Sequence, residues 1–222
     1  MSTETLMPYA TLLGFTRYVT RTGPAKADFV GGLRRQRARR SGFNPHGPLI
    51  KALKSDIEFR TPGSHLAKLT ETVNPRWRPL YEALIPGATA YLHSLGDLSA
   101  CWLVPPHQCL AMVGSLPVKI NPQLGLRFDG GRAEAVRLHF DEDPPTEESV
   151  LATLHLMARH MDQLLPGAEP VVVDVRRAQV HRGAPPGEPD GSGSVEQHRA
   201  TRVEQWLTGE AVAFASMWSA AA

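Results

Sequence analysis

Two carboxylates, Asp129 and Glu134, flank the glycine turn of the segment FDGGRAEAV. Glycines between two alternating runs favour a hairpin, and carboxylates on neighbouring strands can hold a divalent metal for phosphodiester hydrolysis. Glu134 begins its strand, where exposure is easy. A metal site of this kind needs more converging carboxylates than the sequence places here. The pair therefore supports a metal-dependent phosphodiesterase or nuclease only as an alternative function.

A second candidate is the basic segment GLRRQRARR, whose five arginines are Arg34, Arg35, Arg37, Arg39 and Arg40. Arginine suits phosphate because its planar fork donates hydrogen bonds in pairs and stays charged. On a helix, Arg34, Arg37 and Arg40 fall every third residue and would line one stripe. The segment predicts contact with a polyanion or nucleic acid. The alternatives are that it forms a solvated helix face, or that it pairs with the acidic remainder of the same chain.

The charge distribution agrees with a basic contact surface near the start of the chain. Residues 1–60 hold 11 Lys and Arg against 4 Asp and Glu, a net charge of +7. The remainder holds 13 against 18, a net charge of −5, so the whole chain carries only +2. A basic N-terminal region followed by an acidic remainder of the chain favours a charged partner.

The segment RLHFDEDPPTEESVLATLHLMARH mixes five carboxylates with three histidines, which raises the question of an acid–base or metal site. Its pattern instead indicates the end of a strand and the start of a helix. Thr146 is a good N-cap, and the two glutamates that follow it suit the positive end of a helix dipole. His155 and His160 lie about 140° apart around a helix, so they do not share a face.

The cysteines Cys101 and Cys109, with His107 and His93, are a possible zinc ligand set by residue type. They lack the knuckle spacing of two residues between paired cysteines, and two prolines stiffen the connection. We therefore interpret them as two buried thiols and a loop histidine, and predict neither a metal nor a cofactor. Two cysteines make no disulfide framework, which favours a reducing cytoplasm.

The elements that position these residues follow from periodicity. Residues 1–97 form a helical region, and residues 98–182 form an antiparallel sheet with one long helix, 147–164, packed on it. Residues 183–195 are rich in Pro, Gly and Ser and predict a flexible linker, and residues 196–222 form a C-terminal helix. The fold class is therefore α+β, with a tethered terminal helix.

The C-terminal helix carries an apolar stripe of Val203, Leu207, Phe214 and Trp218. A stripe of this size is more than one exposed patch on a soluble monomer usually holds. The helix is therefore expected to dock on the body of the chain or to pair with a second copy in a homodimer.

Two resemblances bear on the fold. The segments VKINPQLGLRFDGGRAEAVRLHFDEDPPTEESVLATLHLM, VVVDVRRAQVHR and GEAVAFASMW resemble a group of uncharacterised bacterial proteins, mainly from actinomycetes. This resemblance implies a shared fold and carries no activity. The strand–strand–strand–helix–strand order is also loosely similar to nucleases of the PD-(D/E)xK type, but Glu134 is followed by AVR, so the E-x-K element is missing.

The sequence as a whole favours a soluble, cytoplasmic, non-enzymatic binding protein. The first residues lack the pattern of a signal peptide, and no apolar run approaches the length of a membrane span, so no membrane partner is expected. The leading hypothesis is a protein that contacts a polyanion or nucleic acid through its basic N-terminal helix. The alternatives are the phosphodiesterase built on Asp129 and Glu134, and a sheet domain that binds a small molecule.

Overall fold

The structure, a computed structural model, describes residues 9–38, 44–183 and 193–220. Its helices are α1 (Leu12–Val19), α2 (Pro24–Ala38), α3 (Gly47–Glu58), α4 (Ser64–Ala67), α5 (Leu69–Thr72), α6 (Arg78–Ser94), α7 (Glu147–Ala158), α8 (Met161–Leu164) and α9 (Gly193–Ala220). Its strands are β1 (Ala10–Thr11), β2 (Cys101–Leu103), β3 (Cys109–Val113), β4 (Leu116–Ile120), β5 (Leu124–Phe128), β6 (Ala133–His139), β7 (Glu169–Asp174) and β8 (Gln179–Arg182). Helices α1–α6 precede the strands β2–β6 along the chain, and this separation of helices from strands confirms the predicted α+β class.

The strands form two mixed sheets in the described residues, whereas the sequence predicted one antiparallel sheet. A five-stranded sheet has the order β2-β5-β6-β7-β8, and a three-stranded sheet has the order β1-β4-β3. Two pairs are parallel, β6 with β7 and β1 with β4. The physical reason is connectivity: α7 crosses over between β6 and β7, and a helical crossover returns the chain in the same direction.

Strand β6 lies at the centre of the larger sheet, and its two faces bury different cores. Val136 and Leu138 pack with the helices α3 and α6, in a core that also holds Tyr81 and Leu84. Ala135, on the opposite face, belongs to the core formed with α1, α7 and α9. A strand covered on both faces explains why the described helices form a layer on each side of the sheet.

The predicted helix 147–164 is broken in two. Thr146 is the N-cap, and its side chain accepts a hydrogen bond from the backbone N–H of Ser149, as the sequence indicated. The helix ends at Ala158 because His160 leaves the helical region, with φ −122° and ψ 20°, before the short helix α8 starts. The break redirects the chain toward β7.

The C-terminal helix α9 begins at Gly193, so the last three residues of the predicted linker 183–195 are helical. Residues 184–192 of that linker lie outside the described residues. The helix docks on the body of the same chain, where Val203, Leu207 and Phe214 are buried. The Phe214 ring contacts Tyr18 edge-on, with their centroids 5.0 Å apart.

Helix α6 approaches the turn between β7 and β8 so closely that only glycine fits at one position. A Cβ atom at Gly87 would lie 1.8 Å from the carbonyl oxygen of Val175. The neighbour is backbone, which has no rotamer that removes the clash. The absence of a side chain at Gly87 therefore allows α6 to lie this close to the sheet.

We expect Gly87→Ala to lower the free energy of unfolding by about 1–3 kcal/mol or more, because overpacking forces the backbone to move. Gly209→Ala is the matched control, since Gly209 is a helical glycine in α9 with open space around its Cβ position. That change should be neutral or raise stability by up to about 1 kcal/mol through helix propensity. Urea unfolding of both variants measures the difference; equal stabilities would contradict the close approach.

Candidate functional site

A groove of about 1020 Å³ opens between α1, α2 and the end of α9, beside β1. We call it the α2 groove. It is lined by Tyr9, Ala10, Thr11, Leu13, Gly14, Arg17, Arg21, Ala25, Asp28, Phe29, Gly32, Leu33, Gln36, Arg37, Phe214 and Trp218. The lining holds three arginines and one carboxylate, Asp28. Because Arg17 pairs with Asp141 outside the groove, the excess positive charge of the lining comes from Arg21 and Arg37. The groove is thus a concave surface suited to an anion.

Small residues keep the space between the helices open. Gly14 lies on α1, and Ala25 and Gly32 lie on α2, all three in the groove lining. A Cβ atom at Gly32 would meet no heavy atom within 4 Å. The two glycines in the middle of α2 cost helix stability, about 1 kcal/mol each, and at Gly32 the absent side chain leaves room for a ligand.

Arginine and aromatic side chains stack along the groove. The guanidinium of Arg21 lies 4.5 Å from the centroid of the Phe29 ring. The guanidinium of Arg37 lies 4.4 Å from the Tyr9 ring and 5.9 Å from the Trp218 ring, and it donates a hydrogen bond to the Tyr9 carbonyl. In each of these pairs the guanidinium lies over one face of an aromatic ring, so the groove combines positive charge with aromatic surface.

The basic segment found in the sequence contributes only in part to this groove. Arg37 lines it, Arg35 is exposed on α2, and Arg34 is half-buried with one guanidinium nitrogen, Nη1, that has no hydrogen-bond partner. Arg39 and Arg40 lie outside the described residues. The structure adds Arg17 and Arg21, which sequence reasoning missed because they lie in and just after α1, away from the arginine run.

Helix α9 closes one wall of the groove and is held by ion pairs at two places. Lys26 on α2 pairs with Glu210. The neighbouring Tyr18 is buried, and burial together with Glu210 raises its pKa to about 12. Nearer the start of α9, Glu204 accepts hydrogen bonds from His155 at 2.9 Å and from Arg159, both from the α7 end. These contacts fix the wall that carries Phe214 and Trp218.

Glu134 is interior, where the sequence suggested easy exposure: its side chain is 1% exposed. Its Oε1 accepts hydrogen bonds from Arg132 at 3.0 Å and from Arg182 at 2.9 Å. Its Oε2 and the hydroxyl of Tyr91 are buried without a partner among the described residues. Burial, and secondarily Glu134, raises the pKa of Tyr91. The carboxylate of Glu134 is therefore the ion-pair partner of two arginines.

Asp129, the other half of the predicted metal pair, lies exposed in the short 3-10 turn after β5. In the part of the chain that the structure describes, no group of three or more His, Cys, Asp or Glu side chains is arranged to hold a metal ion. Cys101 is buried and Cys109 half-buried. Burial, with Glu134, raises the pKa of the Cys101 thiol to about 11, which makes it a poor nucleophile.

No protein-family model matches the chain, and no curated protein shows significant similarity to it. Within the described ranges, no helix is both long and apolar enough to cross a membrane.

The Glu204 contacts predict that docking of α9 depends on pH. Burial alone would raise the pKa of Glu204, but hydrogen bonds from His155 and Arg159 outweigh it and hold the pKa below its ordinary value of 4.5. A carboxylate with a lowered pKa stabilises the fold above its ordinary pKa, and this contribution is lost as the pH falls through the lowered value.

Glu204→Gln should therefore lower the melting temperature at neutral pH, and the difference from the wild type should shrink as the pH falls below about 4.5. Thermal unfolding followed by circular dichroism between pH 7 and pH 3 provides the measurement. Glu82→Gln, at an exposed position on α6, is the control and should show no comparable difference. A Glu204→Gln effect that stays constant down to pH 3 would contradict the assignment.

Proposed function

We propose that the protein binds a polyanion in the α2 groove, and that this polyanion is a single-stranded nucleic acid. The observation that carries the proposal is the alternation of guanidinium and aromatic faces: Arg21 with Phe29, and Arg37 with Tyr9 and Trp218. Single-strand binding surfaces combine positive charge for the backbone with aromatic faces on which bases stack.

The choice of nucleic acid over other polyanions rests on the aromatic component. Charge alone attracts any polyanion, including sulfated polysaccharides, whereas an aromatic face favours a ligand that has bases to stack. Tyr9 is 39% exposed, which leaves its ring accessible beside Arg37. The exposed Arg35 on the same helix extends the positive surface beyond the groove.

Binding of a fluorescent oligothymidylate, measured by anisotropy at about 50 mM salt, tests the proposal. The double variant Arg21→Ala/Arg37→Ala should weaken affinity at least about tenfold, and lower the slope of log K against log salt by about 1.4 for two lost phosphate contacts. The matched control is Lys68→Ala/Arg127→Ala, which removes two exposed positive charges away from the groove.

Two further variants test separately the contribution of base stacking and the need for open space in the groove. Trp218→Leu should weaken oligonucleotide binding by about 1–3 kcal/mol while heparin binding stays unchanged, because only bases stack. Gly32→Leu should block the groove without unfolding the protein, and Gly209→Leu, also in open space, is its control. A wild type that fails to bind the oligonucleotide at low salt, where electrostatic binding is strongest, would exclude the proposal.

A further inference from the structure

A second cluster of charged side chains surrounds the end of β6, where β6 and β7 run parallel and finish at the same edge of the sheet. We call it the β6 corner. It consists of Arg17, His46, Arg137, Asp141 and Arg176. The edge at which parallel strands end is where ligands commonly bind in sheets crossed over by helices.

Each member of the corner comes from a different part of the fold. Arg137 lies on β6, and Asp141 follows the end of that strand. Arg17 reaches in from α1 and forms an ion pair with Asp141 through two of its nitrogens. Arg176, from the turn after β7, donates a hydrogen bond from Nε to the carbonyl of Phe140 at 3.1 Å.

Arg137 is the exception among these arginines because no described carboxylate forms an ion pair with it, although Asp141, already paired with Arg17, is near enough to act on its charge. Its one hydrogen bond to a described residue goes to the neutral carbonyl of Asn121, at 3.3 Å. No carboxylate among the described residues lies within ion-pair distance of its guanidinium. Burial, together with the nearby Arg17, lowers the pKa of Arg137 to about 10, and Asp141 opposes this shift. A guanidinium offers five donors, so most of its hydrogen-bonding capacity is free for a ligand.

His46 adds a polar atom without a partner. Its ring stacks on Phe140 with centroids 4.3 Å apart, and its Nδ1 is buried with no hydrogen bond to a described residue. Burial is the main cause of the lowered pKa of His46; Asp141 opposes it, and Arg17 and Arg176 add to it. The ring is therefore neutral at pH 7 and can donate or accept a hydrogen bond without adding charge.

We propose that the β6 corner binds one phosphate-sized oxyanion, held by Arg137 and the adjoining Arg17. Three guanidiniums, from Arg17, Arg137 and Arg176, share the corner with a single carboxylate, Asp141. Glu142, whose side chain is 90% exposed, lies 3.9 Å from Arg176 and balances that arginine at most. The positive charge that no carboxylate of the corner balances is therefore that of Arg137. The planar fork of an arginine matches the geometry of phosphate oxygens.

The oxyanion has two sources that share this chemistry. It can be free inorganic phosphate, or it can be a terminal phosphate of a nucleic acid, since Arg17 also lines the α2 groove. Phosphate binding at the corner does not depend on the proposed function of the groove, because Arg137 lies outside the groove lining. The two sources are therefore separated by experiment.

Binding of inorganic phosphate is measured by isothermal titration calorimetry, and by the melting temperature in phosphate against chloride at matched ionic strength. Arg137→Gln should weaken phosphate binding about tenfold to hundredfold, the range expected for loss of charge-assisted hydrogen bonds. It should change the melting temperature in chloride little, because the loss of repulsion from Arg17 and the loss of attraction to Asp141 oppose each other. Arg127→Gln, at an exposed position on β5, should bind phosphate like the wild type.

The results divide cleanly. A wild type that does not bind phosphate, or an Arg137→Gln variant that binds it equally well, overturns the proposal. Should Arg137→Gln fail to fold, Arg137→Lys decides, since it keeps the charge and loses the fork; wild-type affinity in that variant also overturns the proposal.

A comparison of 5′-phosphorylated and 5′-hydroxyl oligonucleotides identifies the source. Tighter binding of the phosphorylated strand by the wild type, lost in Arg137→Gln, assigns the corner to a terminal phosphate. Equal binding of the two strands, together with phosphate binding, assigns it to the free anion. Phosphate binding without oligonucleotide binding would exclude the function proposed for the groove alone, and the reverse would exclude the corner alone.

Discussion

The burial of β6 on both faces is the constraint on which the rest of the structure depends. Val136 and Leu138 project into one core and Ala135 into another, so the sheet is stable only with helices on each side. The chain supplies α3 and α6 to one side, and α1, α7 and α9 to the other. The crossover through α7 then makes β6 and β7 parallel and brings their ends to one edge, where the charged corner forms.

The same burial decides what happens to the polar side chains of β6. A carboxylate inside a core is costly unless it is paired, and Glu134 meets this condition by accepting hydrogen bonds from Arg132 and Arg182. Arg137, on the opposite face of the strand, is half-buried, and its hydrogen-bond partner among the described residues is a backbone carbonyl. One strand thus carries a carboxylate that pairs with two guanidiniums and an arginine that has no ion-pair partner among the described residues, and the proposed ligand lies at that arginine.

The α2 groove depends on a contact between the two ends of the chain. Phe214 packs against α1, and Lys26 on α2 pairs with Glu210, so α9 forms one wall of a space that glycines on the other helices leave open. The energetic cost of those glycines is offset by the burial of the apolar face of α9. Positive and aromatic side chains then line the space without filling it.

Local pattern by itself determined the fold class of this protein and the buried faces of several of its elements. Alternation placed Leu138 inward, Thr146 capped its helix, and the apolar stripe of α9 required docking, because these features depend only on residues close in sequence. The parallel pairing, the contact of Glu134 with Arg182, and the meeting of Arg17 with Arg137 were decided by the tertiary structure alone. They join residues tens to more than a hundred positions apart, and such partners are selected by packing, which local periodicity does not record.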